Sequence, residues 1–226
     1  MQKWVISLAT LLILGNVMAE AGTISGTVVF KGTPPPPRKV SVSTDPEICG
    51  SEQQAEDLVV GANKGIKYAV VRVMGADGAP LEAAQVVPLD QKGCKFNPHV
   101  VVMQKGTSLD ILNNDGISHN LHTHSTANPA VNKAQPGFRK KLSQAFEKAE
   151  NIKVTCDVHP WMAGWIVVAE NGLIAVTDDA GSFKLENVPA GTYQLEVWHE
   201  KLGTQTKQVT VGAAGDASAS FELGSS

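Results

Sequence analysis

The chain has 226 residues, 42% of them hydrophobic and 18% charged, with a net charge of −3. That is apolar enough for a folded core, with too few charges for a disordered chain. It is also too acidic for a nucleic-acid-binding face. With 21 glycines, 12 prolines and abundant valine, the composition predicts an all-β protein rich in turns.

Taken in chain order, the first segment reads as a secretory signal over residues 1–21. Lys3 supplies the positive charge, Val5 to Leu14 is the apolar stretch, and Ala19 and Ala21 are candidate cleavage positions. The apolar stretch is too short to span a bilayer, which needs about 20 residues. No other segment is apolar enough to do so. The mature chain is therefore expected to be exported, soluble and in an oxidising compartment.

Thr23–Phe30 is a predicted strand, stopped by GTPPPP at 32–37. Residues 41–66 are polar, carry Cys49 and read as an insertion or long loop. Ile66–Met74, Gln85–Leu89, Val100–Gln104 and Ser108–Leu112 are further strands, and NNDG at 113–116 is a turn. Residues 126–138 read as loop. Arg139–Glu150 has helical propensity, yet Ile152, Val154 and Cys156 alternate as in a strand. Trp165–Val168 is a strand. Beyond about residue 170, turns at 179–181, 188–191 and 201–203 separate strands Ser182–Glu186, Thr192–His199 and Lys207–Val211. One last strand falls within 213–226. The C-terminal stretch is small for an independent domain and is expected to pack on what precedes it.

Cys49 and Cys94 lie in polar, Gly-flanked loops and are expected to form a disulfide in an oxidising compartment. Cys156 is left over, in Cys156-Asp157-Val158-His159-Pro160-Trp161-Met162. Thiolate and thioether are soft ligands and imidazole is intermediate; two His, one Cys and a weak axial Met are the ligand set of blue copper. Calcium and magnesium demand oxygen ligands, and zinc has little use for Met. A second imidazole is available at His119, just after the NNDG turn.

These residues carry a resemblance. NNDGISHN and CDVHPWMAGWIVV, within roughly Cys94 to Val168, resemble the cupredoxins, of the plastocyanin and amicyanin kind. The resemblance implies a Greek-key β-sandwich, a single type 1 copper ion and His119, Cys156, His159 and Met162 as its ligands. It also implies that Asn120 ties the first His loop to the Cys loop. His159 would present its outer edge to redox partners through an apolar surface. A strand leads into the Cys in this family, which favours strand over helix for Gln144–Thr155 and strand–turn–strand for the stretch as a whole, with a short helix the alternative. Further on, TDDAGSFKLENVPAGTYQLEVWH resembles carboxypeptidase-regulatory-like or transthyretin-like β-sandwich modules. The first strands of such a module are missing just before residue 170. ISGTVVFKGTPPPP (24–37) and GADGAPLEAAQV (75–86) resemble them, which would let the cupredoxin interrupt the second sandwich.

The expected division is a signal peptide over 1–21, an N-terminal β region over 22–90, a copper-binding region over 91–169 and a small C-terminal sandwich over 170–226. The expected function is a periplasmic electron carrier serving an unidentified redox protein. The alternatives are a copper storage or delivery module without fast electron transfer, and a structural envelope protein. No nucleophile elbow, HExxH or phosphate loop points to an enzyme. His122 and His124 depart from the family pattern. On an extended segment they face away from His119. Two exposed or hydrogen-bonded imidazoles are the favoured reading, and additional metal ligands the alternative. His99 and His199 read as structural.

Overall fold

The computed structural model describes residues 21–79, 81, 88–213 and 215–224. The predicted signal segment lies outside these residues, apart from Ala21, as do residues 85–87 of one predicted strand. No helix among the described residues is long and apolar enough to cross a membrane.

The chain is all-β. It runs through β1 (Gly22–Phe30), β2 (Lys39–Ser41), a one-turn helix α1 (Pro46–Cys49), β3 (Glu52–Gln54) and β4 (Val70–Met74). Next come β5 (Leu89–Gln91), β6 (Phe96–Asn97), β7 (Val100–Gln104), β8 (Ser108–Asn113), β9 (His119–His124) and β10 (Asn132–Gln135). They are followed by β11 (Lys141–Ala145), β12 (Glu150–Thr155), β13 (Ala163–Ala169) and β14 (Ile174–Val176). The last are β15 (Ser182–Val188), β16 (Gly191–His199), β17 (Gly203–Val211), β18 (Ala217–Ser218) and β19 (Phe221–Leu223).

Two sandwiches result. In one, the sheets β10-β9-β12-β13-β7 and β11-β8-β5-β6 enclose a core that includes Leu89, Phe96, Met103, Ile111, Leu121, Phe146, Ile152 and Ile166. In the other, the sheet β15-β1-β18, with β19 also on β1, faces the sheet β14-β4-β16-β17. Its core includes Ile24, Val28, Val71, Phe183, Leu195 and Phe221. The second sandwich thus takes β1 and β4 from the N-terminal part and the rest from beyond residue 173. The chain leaves it after β4 and re-enters at β14. Of the two segments that resembled missing first strands, 24–37 supplies β1. The other structural partner is β4 rather than 75–86, whose described residues form no strand.

Gly181, in the turn that the TDDAGSF motif announced, shows why that turn is tight. It has φ +74, and a Cβ there would lie 2.3 Å from the Val28 carbonyl oxygen. The approach lets the Val28 amide donate to Gly181 O at 2.8 Å, tying β1 to the C-terminal strands.

The conflict over 139–155 resolves as strand–turn–strand. Arg139–Glu150 is not helical because β11 pairs along β8, from Lys141 opposite Leu112 to Ala145 opposite Ser108. Leu142 then packs on the core, and Phe146 is buried just past the strand. Pairing and burial of one face outweigh a propensity of a few tenths of a kcal/mol per residue. Residues 126–138, expected as loop, contain β10, which pairs with β9 through polar, mostly exposed residues; it has no apolar alternation to announce it.

β4 and β13 are apolar on both faces for one reason. Val71 and Val73 of β4 face their own core while Val70 faces outward, and Val167 of β13 does the same in the other sandwich. Val70, Val100 and Val167 form a third buried cluster joining the sandwiches, flanked by Trp165 and Trp198 in an edge-to-face pair 4.7 Å apart. His99 from one sandwich meets Glu200 from the other beside this cluster.

His199 is 1% exposed there, and burial pulls its pKa down to about 4 against the favourable charge of Glu200. The native state holds this imidazole neutral, whereas the unfolded chain takes up a proton near pH 6.5. Its contribution is complete above pH 6.5 and is lost as pH falls toward 4, by about 3 kcal/mol. Urea unfolding at pH 7 and pH 4.5 should show this loss, and His199→Gln should reduce the difference. An unchanged pH dependence in that variant would count against the assignment.

Candidate metal centre

The residues singled out around Cys156 meet at one end of the first sandwich. His119 opens β9, Cys156 follows β12, and His159 and Met162 lie on the turn that leads into β13. The Met162 amide donates to His159 O at 2.9 Å, and the Cys156 amide donates to Met162 O at 3.2 Å. These two bonds fold 156–162 into a closed loop, which brings the Cys156 thiol and the His159 imidazole together with His119 and keeps Met162 buried on the same loop. His119, Cys156, His159 and Met162 are all 2% exposed or less.

The geometry fits a metal ion. His119 Nδ1 and His159 Nδ1 are 2.9 Å apart, and Cys156 Sγ lies 3.9 Å from the first and 3.7 Å from the second. In this triangle the point equidistant from the three atoms is about 2.1 Å from each, close to the roughly 2.0–2.3 Å that imidazole and thiolate take to a first-row ion.

Each imidazole is held from behind by a carboxylate. His119 Nε2 donates to Asp115 Oδ2 at 2.9 Å, and His159 Nε2 donates to Asp45 Oδ2 at 3.0 Å. A His that gives its other ring N–H to a carboxylate has its tautomer and orientation fixed for metal binding. Asp115 is itself held by the amides of Gly93 at 2.6 Å and Cys94 at 2.8 Å. Asp45 stands at the N-terminus of α1 and makes no side-chain cap to that helix; its carboxylate turns to His159 instead. Burial holds the His119 pKa below its ordinary value, against the pull of Asp115. Burial pushes the Cys156 thiol up, opposed by amide hydrogen bonds from Asn120, His159 and Val158. Uptake of a metal by this thiol therefore releases a proton.

Asn120 joins the two ligand segments. Its Oδ1 accepts from the Asp157 amide at 2.5 Å, and its Nδ2 donates to Asp157 Oδ2 at 3.0 Å.

Cys49 and Cys94 form a disulfide. It sits directly on the site: both sulfurs lie within 4.8 Å of a His159 ring nitrogen. Trp161 Nε1 donates to Cys94 O at 3.2 Å, tying the ligand loop to the same bridge.

The expected open edge of His159 is absent. The ring is 0% exposed, covered by Asp45, α1 and the disulfide. The polar run 41–66, read only as an insertion, is what covers it. The sequence motif NNDGISHN contains Asp115 at D-x3-H spacing but gives it no role of its own, and nothing local announces Asp45.

His122 and His124 are not brought to this centre. They lie on the outer face of β9, their rings stacked 4.6 Å apart, while His119 faces inward. His99 and His199 lie where the two sandwiches meet.

Comparison with known proteins adds the following. The carboxypeptidase regulatory-like domain family matches residues 163–224. The match leaves out β1 and β4, which pair within the sheets of that sandwich. No curated protein matches the chain. Among solved structures, a copper-containing nitrite reductase (NirK) from Thermus scotoductus SA-01 is 24% identical, with TM-score 0.33, over 42% of this chain and 28% of that one. A purple cupredoxin from Nitrosopumilus maritimus is 20% identical, with TM-score 0.29, over 41% of this chain and 100% of that one. An oxidised amicyanin variant is 19% identical, with TM-score 0.32, over 51% and 94%.

Proposed function

We propose that the protein is an exported, periplasmic electron carrier with one type 1 copper ion, which His119, Cys156 and His159 would hold with Met162 as the weaker fourth ligand. The observation that carries this reading is the His119–Cys156–His159 triangle, with both imidazoles backed by carboxylates. When bound, copper supplies a one-electron couple between Cu(I) and Cu(II). His119 and His159 hold their Nδ1 lone pairs toward one point because Asp115 and Asp45 fix the opposite edges. Cys156 offers the soft donor that Cu(I) favours while the imidazoles suit Cu(II). Rigid placement and exclusion of water keep the ligands from rearranging between the two states. We assign copper binding to 91–169 with β5 at its start and 41–66 as its cover, interrupting a sandwich that β1 and β4 of 22–90 build with 170–226.

A second reading has one observation in its favour. The covered edge of His159 suits a module that holds copper without fast electron exchange. Electron self-exchange measured by NMR line broadening separates the two: rapid exchange supports the carrier, and undetectable exchange the holding module.

The test of the site itself is titration of the full chain with Cu(II). One equivalent should give an intense visible thiolate-to-copper band and narrow hyperfine splitting. A colourless complex with wide splitting would overturn the type 1 assignment.

A further inference from the structure

His122 and His124 stand outside the buried centre with their rings stacked 4.6 Å apart; His122 is backed by a carboxylate as a ligand is, and a turn of either ring about its Cβ–Cγ bond brings the two free nitrogens toward a common ion. They are two residues apart on β9, so they project from the same face of the sheet. His122 is one-third exposed and His124 more so. His122 Nδ1 donates to Asp157 Oδ1 at 2.8 Å, which leaves Nε2 with a free lone pair. His124 engages Thr155 Oγ1 through Nε2 at 2.8 Å, which leaves Nδ1. Asp157 is fixed on its other oxygen by Asn120 Nδ2 at 3.0 Å and Asn132 Nδ2 at 2.7 Å.

A carboxylate on one ring nitrogen, itself held by hydrogen bonds, is the arrangement that orients a metal-binding histidine. The His119–Asp115 and His159–Asp45 pairs show it in the buried site. The His122–Asp157 pair repeats it on the surface.

We propose that this face carries a second, solvent-exposed metal site for a borderline divalent ion of the Cu(II), Ni(II) or Zn(II) class, with His122 and His124 as ligands and Asp157 as the positioning residue. Imidazole suits this class, whereas calcium and magnesium call for oxygen ligands. The site differs in kind from the buried one: it has no thiolate and no enclosure, so it exchanges its ion readily. Lys153 pairs with His124 across the strands and places a cation nearby, which sets the affinity below that of an all-neutral surround. The assignment does not depend on the nature of the buried site.

Ni(II) titration of the full chain by calorimetry, with NMR of the histidine rings, tests it. The ring signals of His122 and His124 should broaden together. The double variant His122→Gln/His124→Gln should lose one equivalent of Ni(II) without a change in thermal midpoint. Each single variant should bind about 100-fold more weakly, because the chelate is lost. Asp157→Asn should cost about 10-fold while keeping the stoichiometry. Cys156→Ser should retain this equivalent, so failure of the buried site is distinguishable from failure of this one. An unchanged isotherm in the double variant, or no broadening of the two rings, would overturn the proposal.

Discussion

Cys156→Ser should abolish the intense visible band of the Cu(II)-loaded protein and weaken copper binding by more than about 100-fold. Changes to groups that merely orient a ligand cost 10–100-fold, and loss of the thiolate removes a donor outright. The serine hydroxyl is a hard, neutral donor with no low-energy charge transfer to copper. The variant should still fold, because Cys156 is small and its amide partner, Met162 O, is unaffected. Met162→Leu is the informative contrast. Met162 is 1% exposed, and leucine keeps its volume at a cost below about 1.5 kcal/mol. The band should survive in Met162→Leu while the reduction potential shifts, since a weak thioether ligand would tune the site without defining it. Copper spectra, equilibrium dialysis and voltammetry on the three proteins check both expectations. A visible band that persists in Cys156→Ser would remove the thiolate from the site.

The disulfide should have the second large effect. Cys49 and Cys94 are separated by 45 residues, both almost fully buried. Constraining a loop of that length in the unfolded chain contributes about 4 kcal/mol, a large share of the 5–15 kcal/mol typical of a folded domain. Replacing both cysteines with alanine should lower stability by about that amount in urea. It should also act on the metal. Without the bridge, α1 and Asp45 are held over His159 mainly by the Asp45–His159 bond and by Gln53 Nε2, which donates to Gly93 O at 3.2 Å. Copper release to a chelator should then quicken. Release at the unaltered rate would show that the cover does not control access.

Much of this was legible in the sequence. Alternation at Ile152, Val154 and Cys156, and the turn chemistry of TDDAG, report local constraints that the fold satisfies. The thiol, imidazole and thioether of 156–162 were legible because one tight turn holds them. Long-range features were not. Asp45 reaches His159 across 114 residues, and nothing in its neighbourhood distinguishes it from a helix-capping aspartate. The pairing of β1 with β15 and β19 depends on strands whose local patterns name no partner. β10 escaped notice because an edge strand of polar residues looks like loop.

The nesting of one sandwich inside the other has a consequence for the order of folding. Every strand of the sandwich that carries the His119–Cys156–His159 cluster lies between Leu89 and Ala169, and all pair with one another. β1 is the earliest described strand, yet its partners β15, β18 and β19 begin at Ser182. A chain emerging from its N-terminus can close the inner sandwich while β1 has only its short bridge to Gly65 and Ile66. Domains fold as units as they emerge, and distant pairings are slow. The interior sandwich, with His119 through Met162 complete, therefore forms first, and the outer one closes around its two ends afterwards. During that interval β1 is an apolar strand without its sheet partners, the kind of edge that invites misassociation. The prolines at 34–37 directly after it limit how far such an edge can extend.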